Sequence, residues 1–176
     1  LLTCFQNGRL SDTEKLATFI SQKYPNHPFS WKVLGAVLKQ TDRTTESLTA
    51  MQTSVQLAPQ DAEAHNNLGT TLNEIGRLDE AEASYKQAIA LKPDFSEAHS
   101  NLGVTLQRQG RLDEAEASYT QAIALKPDYA EAHNNLGGTL KELGRLEEAE
   151  ASHRQAIKLK SDFFECHSNL GNTLKE

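Results

Sequence analysis

The chain has 176 residues, of which 38% are hydrophobic and 6% aromatic, and its formal net charge is −6. Because its Lys and Arg residues form no basic run, this composition argues against non-specific binding of nucleic acids. No stretch resembles a signal peptide or an apolar span long enough to cross a bilayer. We therefore expect a soluble protein without a membrane segment, and the cytoplasm is the expected compartment.

One spacing, 34 residues, runs through the sequence. It separates the residues within each of three series, one of prolines, one of histidines and one of leucines: Pro25, Pro59, Pro93, Pro127; His65, His99, His133, His167; and Leu68, Leu102, Leu136, Leu170. A fixed period of roughly 20–50 residues signals a solenoid, in which each repeat contacts mainly its neighbours. The period predicts a continuous array in this order: a partial repeat 1–27, complete repeats 28–61, 62–95, 96–129 and 130–163, and a partial repeat 164–176.

Each complete repeat reads as two amphipathic helices. In residues 62–95, apolar positions recur at steps of three and four residues, which is the period of a helix with one buried face. Gly76 breaks the pattern, and a second helix is predicted from Leu78 to Leu91, before Pro93. The predicted fold class is therefore all-α, a right-handed superhelical solenoid of antiparallel helix pairs. Gly69 should let helices approach closely, and Tyr85 should fill the opposite gap.

The resemblance is to the tetratricopeptide repeat family, whose 34-residue pattern is Trp-x2-Leu-Gly-x2-Tyr, then Ala-x3-Phe, then Pro. Residues 62–95 carry this pattern in the following form: His65, Leu68, Gly69, Leu72, Ala81, Tyr85, Ala88, Pro93. In residues 130–163, His153 replaces the tyrosine. In residues 28–61, Asp42 occupies the glycine position of the turn, where a positive φ is expected, and Ser47 and Met51 replace the usual alanine and aromatic residue. That repeat should therefore be the least ideal complete one.

Differences between copies indicate a candidate binding face. Residues 62–95 and 96–129 are identical at 26 of 34 positions, and four of the differences share one face of the first helix: Asn66/Ser100, Thr70/Val104, Asn73/Gln107, Glu74/Arg108. In the tetratricopeptide repeat family this face lines a concave groove that binds extended peptides or partner helices. Surface drift explains the same differences equally well. The predicted peptide-binding set is Asn66, Asn67, Thr70, Asn73, Ser100, Asn101, Gln107, Arg108, Asn134, Asn135, Lys141 and Asn169.

Beside this face, one asparagine recurs in each repeat, at Asn67, Asn101, Asn135 and Asn169. An amide both donates and accepts hydrogen bonds, so it can pair with a peptide backbone whatever the peptide sequence. The column resembles the asparagine ladder of O-linked N-acetylglucosamine transferase, although asparagine is common there across the family. Val33 interrupts it in residues 28–61. One subfamily clamps the C-terminal carboxylate of a peptide and needs amide side chains at two positions of the repeat. This chain has Val33 and Ala36 at those positions, which argues against membership of that subfamily.

Metal binding and catalysis are not expected. Equivalent histidines on successive repeats are separated by about one helix diameter, roughly 10 Å, whereas zinc needs ligands about 2 Å away. The sequence has no Cys-x2-Cys pair, glycine-rich phosphate loop or nucleophile–base arrangement, so we expect no cofactor and no enzymatic activity. Cys4 and Cys166 lie at opposite ends of the array and should not form a disulfide.

The sequence thus predicts a protein–protein interaction scaffold that binds an extended peptide or helix in its groove. One alternative is the substrate-recruiting arm of a larger enzyme, such as a glycosyltransferase or sulfotransferase. Another is a self-assembling array. Apolar residues near both termini, Leu2 and Phe5 at one and Leu170 and Leu174 at the other, predict end-to-end association of the two complementary surfaces.

Overall fold

The computed structural model describes residues 7–175, and all regular structure within them is α-helical. The ten helices are α1 Leu10–Lys23, α2 Pro28–Gln40, α3 Thr44–Leu57, α4 Ala62–Glu74, α5 Leu78–Leu91, α6 Ser96–Arg108, α7 Leu112–Leu125, α8 Ala130–Glu142, α9 Leu146–Leu159 and α10 Phe164–Thr173. The all-α prediction is confirmed, and α5 has the bounds predicted for it. No helix in the described part of the chain is long and apolar enough to cross a membrane. Leu2 and Phe5 lie outside the described residues.

The chain divides into two compact units, Leu1–Lys92 and Pro93–Glu176. In the first unit each helix from α1 to α5 packs against the next, and α2 also contacts α4. The second unit repeats this arrangement from α6 to α10, with additional contacts of α8 with α6 and α10. Side-chain hydrogen bonds show that α2 and α3 are antiparallel, because Ser54 Oγ donates to the carbonyl of Pro28 and Ser47 Oγ to that of Gly35.

Left-handed residues connect the helices of a pair. Gly76, Gly110 and Gly144 have φ of 79°, 75° and 76°, and Asp42 has φ of 58° at the corresponding turn. The amide that follows each of them donates back to the preceding helix, as Arg43 does to the Leu38 carbonyl at 2.9 Å. This hydrogen bond is typical of helix ends that turn through a left-handed residue. The positive φ predicted at Asp42 is therefore present.

Replacing Asp42 with glycine should stabilise the protein. Glycine adopts positive φ without the steric cost that a Cβ imposes, so Asp42→Gly should raise the free energy of unfolding by about 1 kcal/mol. Chemical denaturation measures this difference. The reverse change at the equivalent turn, Gly76→Asp, is the matched control and should lower stability by a similar amount. An unchanged or lower stability of Asp42→Gly would show that the aspartate side chain stabilises the turn.

The second helix of each pair places a large side chain directly over a glycine of the first. A Cβ added to Gly69 would lie 2.7 Å from Tyr85 Cε1, and one added to Gly103 would lie equally close to Tyr119 Cε1. Met51 covers Gly35 and His153 covers Gly137 in the same way. Tyr85, Tyr119, Met51 and His153 are all at most 1% exposed. We call these four residues the covering column, and they confirm the predicted packing of a bulky residue against a small one.

Candidate functional site

An open cavity of about 260 Å³ lies in the first unit, between α2, α3 and α4. We call it the N-terminal groove, and its lining residues are Ala36, Lys39, Gln40, Met51, Asn67 and Thr70. Asn67 and Thr70 are half-buried members of the predicted peptide-binding set. The floor includes Met51, so a covering-column residue contributes to the groove as well as to the core.

The basic residues beside the N-terminal groove are paired with carboxylates. Lys32 Nζ lies 2.8 Å from Asp61 Oδ2 and 3.0 Å from Glu63 Oε2, and Lys39 Nζ lies 3.1 Å from Glu74 Oε1. Partial burial acts to lower the pKa of Lys32, but its hydrogen bonds to Asp61 and Glu63 outweigh burial and raise that pKa. Asp61 also accepts from the Ala64 amide and so caps α4. These ammonium groups therefore already have carboxylate partners.

A second open cavity, of about 330 Å³, lies in the second unit. We call it the C-terminal groove, and residues of α6, α8, α9 and α10 line it: Gln107, Asn134, Asn135, Gly138, Lys141, His153, Glu165, Asn169 and Asn172. Five of these are amides, whereas only one lysine and one glutamate are charged. The surface is therefore rich in groups that both donate and accept hydrogen bonds.

Some of these amides hold one another in place. Asn169 Nδ2 donates to Asn134 Oδ1 at 3.1 Å, and Gln107 Nε2 donates to Glu142 Oε1 at 2.5 Å. Gln107 Oε1 in turn accepts from the Tyr119 hydroxyl at 3.3 Å. Both ends of the Gln107 carboxamide therefore have partners inside the protein, which fixes its orientation at the rim of the groove.

His153 lies at the floor of the C-terminal groove and is fully buried. Burial, and secondarily the charge of Lys141, lower the pKa of this histidine, so its neutral form is favoured. The Cys166 thiol donates to the His153 carbonyl at 3.3 Å and lies 3.8 Å from His153 Nδ1. Within residues 7–175, Nε2 of His153 is buried without a hydrogen-bond partner.

The predicted peptide-binding residues differ in how much of each side chain is exposed. Asn66, Ser100 and Asn134 are only 2%, 3% and 3% exposed, and Asn73 is 9% exposed. Asn66 and Ser100 line neither groove, whereas Asn134 lines the C-terminal groove. The half-buried members are Asn67, Thr70, Asn101, Gln107, Asn135, Lys141 and Asn169, and Arg108 is exposed. Seven members of the predicted set line one of the two grooves: Asn67 and Thr70 in the first, and Gln107, Asn134, Asn135, Lys141 and Asn169 in the second.

The structure adds groove residues that the sequence interpretation omitted. The repeat pattern identifies Met51 and His153 only as packing residues, and it does not indicate Gly138, Glu165 or Asn172, although all five line a groove. The 34-residue period contained a usable signal, because Gly138 stands at the same phase as Thr70, which was selected. Among the described residues, no group of three or more His, Cys, Asp or Glu side chains is arranged to hold a metal ion.

Three family models, each describing the tetratricopeptide (TPR) repeat, match this sequence. They cover residues 50–83, 69–110 and 94–162, which together span more than half of the chain. The chain belongs to the tetratricopeptide repeat family. No curated protein matches this tetratricopeptide repeat chain.

Solved structures of similar fold include PilW, a type IV pilus biogenesis factor, with a TM-score of 0.86 and 19% identity over 97% of this chain and 83% of that one. TTC0263, a TPR protein of Thermus thermophilus, has a TM-score of 0.80 and 22% identity over 99% and 95%. YrrB, described as a TPR protein with an unusual peptide-binding site, has a TM-score of 0.78 and 19% identity over 99% and 88%. These likenesses confirm the predicted solenoid fold class.

Proposed function

We propose that this tetratricopeptide repeat chain is a protein–protein interaction scaffold that binds an extended peptide through its grooves. The observation that carries the proposal is that each unit has an open groove lined by the first helices of its pairs, with half-buried amides at Asn67 and at Asn135. The peptide-binding site described for YrrB, on the same fold, supports it.

The chemistry of the grooves favours recognition of a peptide backbone. An asparagine amide can donate to a peptide carbonyl and accept from a peptide N–H at the same time, so it pairs with any sequence. The lysines beside the N-terminal groove are already engaged by Asp61, Glu63 and Glu74. A ligand therefore gains little from a complementary charge at that groove, and the amides supply the contacts.

Removing one amide from each groove tests the proposal. The probe is a fluorescently labelled peptide selected on the immobilised protein from a random peptide library. Each lost amide–backbone interaction should cost about 0.5–1.5 kcal/mol, so the double variant Asn67→Ala/Asn135→Ala should bind the probe roughly 5- to 150-fold more weakly. Fluorescence anisotropy measures the affinity, and circular dichroism should show a nearly unchanged melting temperature.

The control removes two amides from exposed positions on the second helices, in the double variant Gln87→Ala/Gln121→Ala. It should bind the probe as the unmodified protein does. If the asparagine variant keeps full affinity and loses only stability, the asparagines are structural and the groove proposal is wrong.

The asparagine column favours a second candidate, the substrate-recruiting arm of a larger enzyme, as in O-linked N-acetylglucosamine transferase. All four members, Asn67, Asn101, Asn135 and Asn169, are half-buried on first helices. Both candidates require peptide binding, and the complete reading frame discriminates between them. Self-association is a further candidate because Leu174 is 57% exposed and Phe164 is 84% exposed. Light scattering over a wide concentration range tests it.

A further inference from the structure

Residues 130–163, which contribute to the C-terminal groove, differ from residues 62–95 at two positions whose side chains are in contact in that earlier repeat. In residues 62–95 the Tyr85 hydroxyl donates to Thr70 Oγ1 at 3.3 Å, which joins the covering column to the first helix. The residues at the same two phases in residues 130–163 are His153 and Gly138. Histidine lacks the phenol hydroxyl and glycine lacks the hydroxyl that accepts from it. Both halves of the contact are therefore replaced by smaller groups.

The absence of a side chain at Gly138 leaves space for a ligand group in the groove. A Cβ added to Gly138 would have Gln107 Nε2 as its nearest described neighbour, at an ordinary van der Waals distance of 3.9 Å. His153 is fully buried there, with Nε2 unpartnered among the described residues. A buried polar atom without a partner is costly, so a ligand that supplies the partner gains affinity at this atom.

The surroundings of His153 indicate which partner Nε2 requires. The Cys166 thiol donates its proton to the His153 carbonyl at 3.3 Å, and its sulfur lies 3.8 Å from Nδ1, which favours the tautomer that carries the proton on Nδ1. A neutral imidazole protonated on Nδ1 presents a lone pair at Nε2. The floor of the groove therefore requires a hydrogen-bond donor.

The remaining lining residues require the same ligand group to accept as well. Asn135, Asn169 and Asn172 line the same groove, and amide N–H groups such as theirs can donate to a ligand oxygen. A ligand carboxylate has no proton for Nε2, and an ammonium or guanidinium group cannot accept from these amides. Lys141 and Glu165 both line the groove, so their charges favour neither sign of ligand charge. A neutral group that donates on one side and accepts on the other satisfies all of them.

We propose that His153, Gly138 and the surrounding asparagines form a subsite that binds the side-chain carboxamide of a glutamine or asparagine. The carboxamide NH2 donates to His153 Nε2, and its oxygen accepts from the groove amides. The inference rests on the proposed function in that the carboxamide belongs to the bound peptide. It adds a preference for one side chain to a groove that otherwise recognises backbone.

The test uses the full chain labelled with ¹⁵N-histidine and N-acetylglutamine methylamide as the probe. NMR of the imidazole nitrogens reports the hydrogen bonding of His153, whose signals are assigned by their loss in His153→Tyr. The probe should shift the Nε2 signal of His153 saturably, and N-acetylglutamate methylamide should not. Gly138→Thr should weaken probe binding at least about tenfold, because the threonine side chain occupies the space beside the imidazole.

Both variants introduce the residue that stands at the same phase in residues 62–95, so they should fold. Absence of a saturable shift, or equal affinity in Gly138→Thr, overturns the inference. If the selected peptide still binds through Asn67 and Asn135 while the glutamine probe does not bind, only the subsite is wrong. If the probe shifts His153 although no peptide binds the grooves, the carboxamide subsite stands and the scaffold proposal is wrong.

Discussion

Tyr119→Ala should lower the free energy of unfolding by about 3–5 kcal/mol, the range measured when large aromatic core residues are reduced to alanine. Tyr119 is fully buried and lies against Gly103, and its hydroxyl donates to Gln107. Because Gly103 has no side chain to move into the space, the cavity should persist. Burial, and secondarily the charge of Glu142, raise the pKa of Tyr119, so the phenol stays protonated in these experiments. Chemical denaturation followed by circular dichroism measures the loss.

Tyr119→Phe is the matched control, since it removes the hydroxyl and keeps the ring. It should cost only about 0.5–1.5 kcal/mol, the net value of one intramolecular hydrogen bond. Similar losses in the two variants would mean that the hydrogen bond to Gln107, and not the packing over Gly103, stabilises the pair.

Gly69→Leu should destabilise the first unit by about 1–3 kcal/mol, because it overpacks the crossing of α4 and α5. Even a Cβ at this position would lie 2.7 Å from Tyr85 Cε1 and 2.9 Å from Cδ1. Tyr85 is 1% exposed and therefore has little room to move. The helix axes must separate to admit the leucine, and thermal or chemical denaturation measures the cost.

Gly171→Leu tests the same phase of the repeat without the crossing. A Cβ added to Gly171 has no described atom within 4 Å, outside its own helix. Leucine is a better helix former than glycine, so this variant should keep or gain stability. Equal losses at positions 69 and 171 would contradict the packing explanation and point to a requirement for glycine within the helix itself.

Much of the fold follows from the sequence because its signals are local. The bounds of α5 are predictable from three signals: glycine at the turn, proline beyond the second helix, and apolar residues at steps of three and four. Asp42 was assigned positive φ by its phase alone, and its φ is 58°. The contact of Gly69 with Tyr85 was predictable because a glycine and a bulky residue recur at constant phases.

The residues that line the two grooves were less predictable from the sequence, because the burial of a side chain depends on what packs against its helix. Neighbouring residues on a helix point about 100° apart, so Asn67 lies in the groove while Asn66 is 2% exposed. Variation between copies marked Asn66 and Ser100 as surface positions, yet both are buried. Variation therefore does not distinguish a ligand-binding surface from a tolerant interior.

The floor of the C-terminal groove, at His153 and Gly138, is not indicated by the sequence, for a different reason. It depends on a combination of two residues, His153 and Gly138, that are 15 positions apart in the sequence. Each is unremarkable by itself, since histidine fits over Gly137 and glycine is accommodated in α8. Only their arrangement in space shows that both residues line one cavity and that Nε2 of His153 is buried without a partner among the described residues.

The covering column has a consequence for how such an array acquires new ligands. Met51 and His153 each pack over a glycine and also form the floor of a groove, so one side chain serves both stability and recognition. A covering residue must fit against the backbone of the helix at its glycine. This requirement limits the side chains that can form the floor of a groove to types such as Met, Tyr and His. Changes of specificity should therefore be easiest by exchanging whole 34-residue cassettes, in which the glycine, its cover and the facing residue are inherited together.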